Sequence, residues 1–174
     1  MDLFKSLQNL ADKNDKKFVI VGGHAVNFHG IFRSTNDIDL MIKGEDVDFW
    51  TKNLSTIGYE IFNQTKAFVQ FKSKQVTHWP IDLILVDDST FDKVYSSASF
   101  QNIDSNKIPF ASILHLIAMK LHALKNDLDN RMEKDKSDLL ELLKLYRVDL
   151  NSEEFRQLCE KYANIVVYEK ITKK

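Results

Sequence analysis

Two aspartates separated by one residue, Asp37 and Asp39, begin the apolar segment "DIDLMI". In a strand, residues i and i+2 point to the same side, so both carboxylates share one face. Close carboxylates repel each other unless water, a cation or a metal ion compensates their charge. A solvated strand end and a metal site are the two alternatives for this pair.

A third aspartate, Asp82, lies in the otherwise apolar segment "PIDLILV". A charged residue in such a run needs a partner, and a salt bridge to a lysine or to Arg33 would supply one. If this strand instead neighbours the strand of Asp37 and Asp39, three carboxylates converge. Three hard oxygen ligands suit Mg²⁺, which keeps some waters and takes further ligands from substrate phosphates.

Gly22 and Gly23 separate the apolar segment "KFVIV" from the segment "HAVNFHG". Glycines between a strand and a helix let the backbone approach a phosphate closely, and the N–H groups at the helix start point towards it. The pair fits neither GxGxxG nor the Walker A pattern, and a tight turn between strand and helix is the alternative.

The hydrophobic spacing predicts the elements that carry these residues. Strands are expected over 17–23, 36–42, 59–62, 67–72 and 79–86. Helices are expected over 3–11, 24–30, 44–58, 89–100, 111–126, 131–146 and 151–163, followed by a frayed tail. Mixed strands and helices followed by helices alone predict an α/β (α+β) core with a packed helical C-terminal part.

Composition limits the class of protein. The 174 residues suffice for one domain with a helical appendage, and a net charge of −1 argues against a broad basic surface for duplex nucleic acid. Cys159 is the only cysteine, which excludes a disulfide framework and a cysteine zinc site. The N-terminal segment resembles an amphipathic helix and not a signal peptide, and no apolar run would cross a bilayer. We therefore expect a soluble, cytoplasmic protein.

Taken in order, these motifs resemble a known signature. The run "VGGHAVNFHGIFRSTNDIDL", followed by the "IDLI" strand, is similar to the DNA-polymerase-β-type nucleotidyltransferase superfamily. It most resembles the small bacterial branch related to abortive-infection (AbiEii-like) nucleotidyltransferase toxins. The segment "HLIAMKLHAL", followed by "KDKSDLLELL", resembles the C-terminal helical part of that branch, so the similarity extends over about residues 18–146.

The resemblance implies a fold and a site. The fold would be a palm-like mixed sheet flanked by helices, with a nucleotidyltransferase core over 1–110 and a helical part over 111–174 packed on it. Asp37 and Asp39 would bind two Mg²⁺ ions, and Asp82 would contact the metal nearer the attacking hydroxyl and help to deprotonate it. The residues that would bind the nucleotide or its phosphates are Gly22, Gly23, Arg33, Thr35 and Lys120.

Two positions leave alternatives open. Many superfamily members carry serine after the glycine pair, whereas this chain carries His24, so the hydroxyl contact to phosphate is lost. Lys120 lies in a nearly apolar helix, where its stem could be buried with the ammonium in water. The resemblance instead favours roles in the cleft for Lys120 and Asp135, while an Arg131–Asp135 ion pair is the plain structural alternative.

The leading hypothesis is an enzyme that moves a nucleoside monophosphate from an NTP to a hydroxyl acceptor on a protein, a tRNA or a small molecule, with Mg²⁺. The resemblance implies a toxin or defence role and a possible antitoxin partner, and no membrane. The alternatives are an inactive nucleotide-binding module of the same fold and a plain interaction domain. No motif in the sequence selects the nucleobase.

Overall fold

The computed structural model of the protein describes residues 3–75, 78–103, 106–126 and 132–172. Over these residues the chain forms two compact units. The first comprises residues 1–28 and 33–112, and the second comprises residues 29–32 and 113–174. The predicted boundary between residues 110 and 111, with the helical part packed on the core, stays a prediction.

The first unit contains a mixed sheet that has seven strands within the described residues. In chain order they are β1 (Val19–Ile20), β2 (Ile38–Lys43), β3 (Tyr59–Gln64), β4 (Phe68–Ser73), β5 (Ile81–Val86), β6 (Ser99–Ile103) and β7 (Asn106–Phe110). The spatial order is β3-β4-β5-β2-β1-β7-β6. Strand β2 runs parallel to β5 and β1 runs parallel to β7, whereas the other neighbours are antiparallel.

Helices join these strands. They are α1 (Leu3–Lys13), α2 (Gly22–Phe28), α3 (Val47–Thr56), which follows a 3₁₀ turn over Gly44–Asp46, and α4 (Asp88–Ser96). Because β2 and β5 are parallel, the chain must cross back between them, and it does so through α3, β3 and β4. The α/β class predicted from the sequence is confirmed.

The segment after α4 differs from the prediction. A helix was expected over 89–100, but α4 ends at Ser96, and residues 99–103 and 106–110 form the antiparallel pair of β6 and β7. Asp87 caps α4 by accepting a hydrogen bond from the N–H of Thr90, so the helix start agrees with the sequence. Strand β6 exposes its three central residues, and an edge strand of this kind lacks the alternation that predicts a strand.

The second unit is helical. Its helices are α5 (Ile113–Asn126), α6 (Met132–Leu145), α7 (Glu153–Tyr162) and α8 (Ile165–Thr172). Helix α5 packs against the other three and buries Leu116, Ile117 and Leu121. None of the described helices is long and apolar enough to cross a membrane.

The frayed C-terminal tail expected from the sequence is wrong as far as Thr172. Helix α8 forms there, and its apolar residues Val167 and Ile171 are buried. The side chain of Asn164 accepts a hydrogen bond from the N–H of Val167 at 3.0 Å, which satisfies one donor at the helix start. Burial and this cap together explain why the segment is helical.

Candidate functional site

The three predicted carboxylates lie together in the first unit. Asp37 directly precedes β2, Asp39 lies in β2 and Asp82 lies in β5. One carboxylate oxygen from each side chain lies within 4.8 Å of those of the other two, and all three residues are half-buried. The structure thus brings together the aspartates that the sequence could only suggest as neighbours.

The parallel register of β2 and β5 explains this convergence. Asp39 and Asp82 are direct Cα partners, so their side chains leave the sheet on the same side. Asp37 lies two residues before Asp39 and points to that side as well. Ile38 and Ile81, also register partners, lie on the opposite side and are buried in the core.

Two neutral hydrogen-bond donors orient the carboxylates of Asp37 and Asp82. The hydroxyl of Thr35 donates to Oδ1 of Asp37 at 2.9 Å. The amide of Gln70 donates to Oδ2 of Asp82 at 2.8 Å, across the β4–β5 pair in which the two residues are register partners. Donors of this kind fix the rotamer of a carboxylate without adding a positive charge to it.

Of the glycine pair, Gly22 lies directly against Asp39, and Gly23 lies against Thr35 and Arg33. Gly22 begins α2 with φ +58°, and a Cβ built on it would overlap Oδ2 of Asp39 and lie 2.6 Å from its Cγ. A Cβ on Gly23 would overlap Oγ1 of Thr35 and lie 2.8 Å from Nη2 of Arg33. Only glycine therefore fits both positions without displacing a predicted site residue.

The loop that carries Arg33 and Thr35 is held to α2. Asn27 makes two hydrogen bonds with Arg33: its amide donates to the carbonyl of Arg33 at 2.9 Å, and its Oδ1 accepts from the N–H of Arg33 at 3.0 Å. The Arg33 guanidinium also donates to the carbonyl of Ser34 at 3.0 Å. This clamp places the predicted phosphate-binding residues Arg33 and Thr35 beside Gly23.

His24 follows the glycine pair and packs between two aromatic rings. Its ring centroid lies 5.2 Å from that of Phe4, edge to face, and 4.9 Å from that of Trp79. Burial is the main cause that lowers the pKa of His24. The nearby Asp37 carboxylate opposes this shift and the Arg33 guanidinium adds to it. The lowered pKa favours a neutral imidazole. Where many superfamily members carry a serine hydroxyl, this chain therefore carries a packed, neutral ring.

Lys120 belongs to the second unit, where two carboxylates bind its ammonium. Nζ lies 2.5 Å from Oδ1 of Asp135 and 2.7 Å from Oδ2 of Asp138. The Lys120 side chain is only 11% exposed, which contradicts the alternative of a buried stem with its ammonium in water. Its predicted role in phosphate binding stays a prediction. Arg131, the other proposed partner of Asp135, lies outside the described residues.

Sequence reasoning missed two residues of this site. Gln70 lies between buried Val69 and Phe71 in β4, and its polarity at an outward position was the available signal. Trp79, whose side chain contacts His24, precedes Pro80 at the start of the β5 segment. Neither residue is part of a sequence motif. Gln70 reaches the site through its hydrogen bond to Asp82, and Trp79 reaches it through its contact with His24.

Solved structures with a similar fold are nucleotidyltransferases or are described as similar to them. One is an antigenic nucleotidyltransferase-like protein from Paracoccidioides brasiliensis, 15% identical over 97% of this chain and 91% of that chain, with a TM-score of 0.60. ANT(2″)-Ia in complex with adenylyl-2″-tobramycin is 16% identical over 92% and 94%, with a TM-score of 0.63. The lincosamide antibiotic adenylyltransferase LnuA, bound to lincomycin, is 20% identical over 80% and 95%, with a TM-score of 0.57.

These similarities establish the fold, and the palm-like sheet with flanking helices predicted from the sequence is confirmed. No curated protein matches the chain significantly. Residues 6–173 match the profile of the family described as "Nucleotidyl transferase AbiEii toxin, Type IV TA system". The match spans nearly the whole chain and includes every residue of the carboxylate and glycine cluster. The chain therefore belongs to the AbiEii nucleotidyltransferase toxin family and is a nucleotidyltransferase.

Proposed function

We propose that the protein transfers a nucleoside monophosphate from an NTP to a hydroxyl acceptor, and that Asp37, Asp39 and Asp82 are its catalytic carboxylates. One observation carries the proposal. The carboxylates of Asp39 and Asp82 on adjacent parallel strands, and of Asp37 directly before β2, converge within 4.8 Å beside a glycine pair that leaves room for no side chain. Because glycine has no side chain, a phosphate can approach the backbone at the point where the carboxylates converge.

The donor set fits Mg²⁺. Half-buried carboxylate oxygens that converge from three side chains repel one another, and a hard divalent cation removes that repulsion. We propose two ions, with Asp37 and Asp39 as ligands of both and Asp82 as a ligand of one. When bound, such ions supply charge stabilisation for the attacking and leaving oxygens of an in-line displacement.

The residues of the chain have distinct roles in this proposal. The backbone of Gly22 and Gly23 receives the triphosphate, and Arg33 and Thr35 beside Gly23 add a cation and a hydroxyl. The acceptor oxygen forms a bond to the α-phosphorus while the bond to the β-phosphate oxygen breaks, so pyrophosphate leaves. Asp82 accepts the hydroxyl proton, and Gln70 holds its carboxylate in place for this step.

The family description supports a proposal for the biological role. We propose that the protein acts as a toxin in the cytoplasm, where NTPs are available, and that an antitoxin opposes it. The acceptor would be a hydroxyl of a tRNA, a protein or a small molecule. Small-molecule acceptors are included because two proteins of this fold have such descriptions: LnuA is a lincosamide antibiotic adenylyltransferase, and ANT(2″)-Ia is an antibiotic-resistance factor.

A label-transfer assay tests the proposal. Purified protein is incubated with each α-³²P-labelled NTP, Mg²⁺ and a bacterial extract that has been separated into protein, RNA and small-molecule fractions. We expect label to appear in one fraction, together with stoichiometric pyrophosphate. Asp37→Asn, Asp39→Asn and Asp82→Asn should each reduce the transfer by at least 100-fold, because each removes a charge from the cluster.

Asp48→Asn is the matched control. It makes the same change of charge at an exposed carboxylate of α3 in the same unit, and its activity should equal that of the wild type. Transfer that persists in Asp37→Asn and Asp39→Asn would contradict the metal-site assignment. NTP that raises the melting temperature without any release of pyrophosphate would instead support the inactive nucleotide-binding module.

A further inference from the structure

Trp79 is an exposed aromatic residue whose ring contacts His24, the residue after the glycine pair. It is 46% exposed, whereas the other tryptophan, Trp50, is fully buried. A large apolar side chain at the surface leaves much apolar area in water, and a ligand that covers it gains the energy of that burial.

Two hydrogen bonds fix the backbone around Trp79. The carbonyl of Trp79 accepts from the hydroxyl of Tyr59 at 3.1 Å. The carbonyl of Pro80, the next residue, accepts from the N–H of Ile38 at 2.9 Å and joins this segment to the start of β2. The indole is therefore carried by a fixed backbone just before β5, the strand that contains Asp82.

The ring of Trp79 is also held near the glycine pair. Its centroid lies 4.9 Å from that of His24 with an angle of 36° between the rings, and Phe4 packs edge to face on His24. His24 directly follows Gly23, and consecutive Cα atoms are about 3.8 Å apart. One side chain, that of His24, therefore connects the exposed indole to Gly23, where the triphosphate is proposed to bind.

We infer that Trp79 binds the nucleobase of the NTP by stacking. Every nucleobase has a flat π face, and stacking on an aromatic side chain needs no specific hydrogen bonds. Stacking without base-specific hydrogen bonds agrees with the sequence analysis, in which no motif selects the nucleobase. The ring of His24 packs against the indole with 4.9 Å between the centroids and holds it near the glycine pair. The inference rests on the proposed function, because it takes the triphosphate position from it.

Binding measurements with two probes separate the inference from the proposed function. Isothermal titration with ATP and with inorganic tripolyphosphate, both with Mg²⁺, compares a ligand that has a base with one that has none. Loss of one stacked base should weaken ATP binding in Trp79→Ala by roughly 5- to 150-fold in Kd. Tripolyphosphate binding should stay unchanged, and Trp79→Phe, which keeps an aromatic ring, should recover most of the ATP affinity.

Phe100→Ala is the matched control, since Phe100 is also 46% exposed and lies in the same unit, on β6. It should bind both probes like the wild type. A spectroscopic measurement is independent of affinity: ATP should change the tryptophan fluorescence of the wild type, and Trp79→Phe, which retains buried Trp50, should lose that change. Tripolyphosphate should leave the fluorescence unaltered in both.

Each result decides the matter. If both probes bind and Trp79→Ala weakens them equally or not at all, the stacking inference is wrong while the proposed function stands. If Trp79→Ala raises only the KM for the acceptor in the label-transfer assay, the indole contacts the acceptor and the inference is likewise overturned. If neither probe binds the wild type, the proposed function fails and the inference fails with it.

Discussion

Replacement of Gly22 by alanine should lower the catalytic rate far more than it lowers the stability of the fold. Gly22 has φ +58°, so an alanine there meets the steric cost of the left-handed region, about 1–2 kcal/mol. For a chain of this length that cost lowers the melting temperature by roughly 2–8 °C. The new methyl group would also occupy the position of Oδ2 of Asp39. Because the carboxylate must move, the arrangement proposed for catalysis is lost even in the molecules that remain folded.

The magnitude of the catalytic loss follows from the overlap. Relief of a contact with Oδ2 and Cγ of Asp39 requires a shift on the order of 1 Å, and a misplacement of that size costs about 100-fold in rate. We therefore expect Gly22→Ala to lower kcat in the label-transfer assay by about two orders of magnitude at a temperature at which circular dichroism shows it to be folded.

Gly58→Ala provides the control. Gly58 has φ +92°, and a Cβ built on it would have no atom within 4 Å outside its neighbours, so this variant combines backbone strain with open space. It should lose a similar amount of stability and retain wild-type turnover. Equal losses of turnover in the two variants, or full turnover in Gly22→Ala, would refute the placement of Asp39 against the helix start.

Three further predictions concern single side chains. Gln70→Met keeps the length of the side chain and removes the amide donor to Asp82, so kcat should fall roughly 10-fold with little change in melting temperature, measured by single-turnover label transfer. Lys120→Met leaves the buried Asp138 carboxylate and the half-buried Asp135 carboxylate without their ammonium and should cost about 3–5 kcal/mol in urea unfolding. Lys125→Met, at an exposed site of the same helix, should cost less than about 0.5 kcal/mol, and similar losses in the two variants would contradict the ion-pair assignment. Burial raises the pKa of the Cys159 thiol to about 11, so iodoacetamide at pH 8 should label it much more slowly than in urea, and stability should decrease as the pH rises towards 11; fast labelling of the folded protein would show that the thiol is accessible.

Much of the site could be predicted from the sequence because its parts are local. Asp37 and Asp39 share a face through strand periodicity alone, and the glycines mark a strand-to-helix junction that the structure contains. Asp82 required one long-range assumption, that β5 neighbours β2, and the parallel register provides this pairing. The family resemblance supported that assumption, since the order of motifs carries information that no single motif has.

Other features depended on tertiary neighbours and were not predicted. Strand β6 lies at the sheet edge with exposed central residues, so its sequence resembles a continuation of α4. The role of Gln70 depends on the register of β4 with β5, and the ammonium of Lys120 meets carboxylates from a different helix. Side-chain partners across elements cannot be read from spacing within one element.

The parallel pairing of β2 and β5 also has a consequence for synthesis. All of α3, β3 and β4 must be made after Asp39 and before Asp82, so the carboxylate group completes only when a long chain segment closes into the sheet. A ribosome-bound chain that ends before β5 contains Asp37 and Asp39 but not Asp82, and its sheet is incomplete. For a protein of a toxin family, the fold itself would then delay nucleotidyl transfer until the first unit has left the ribosome and closed.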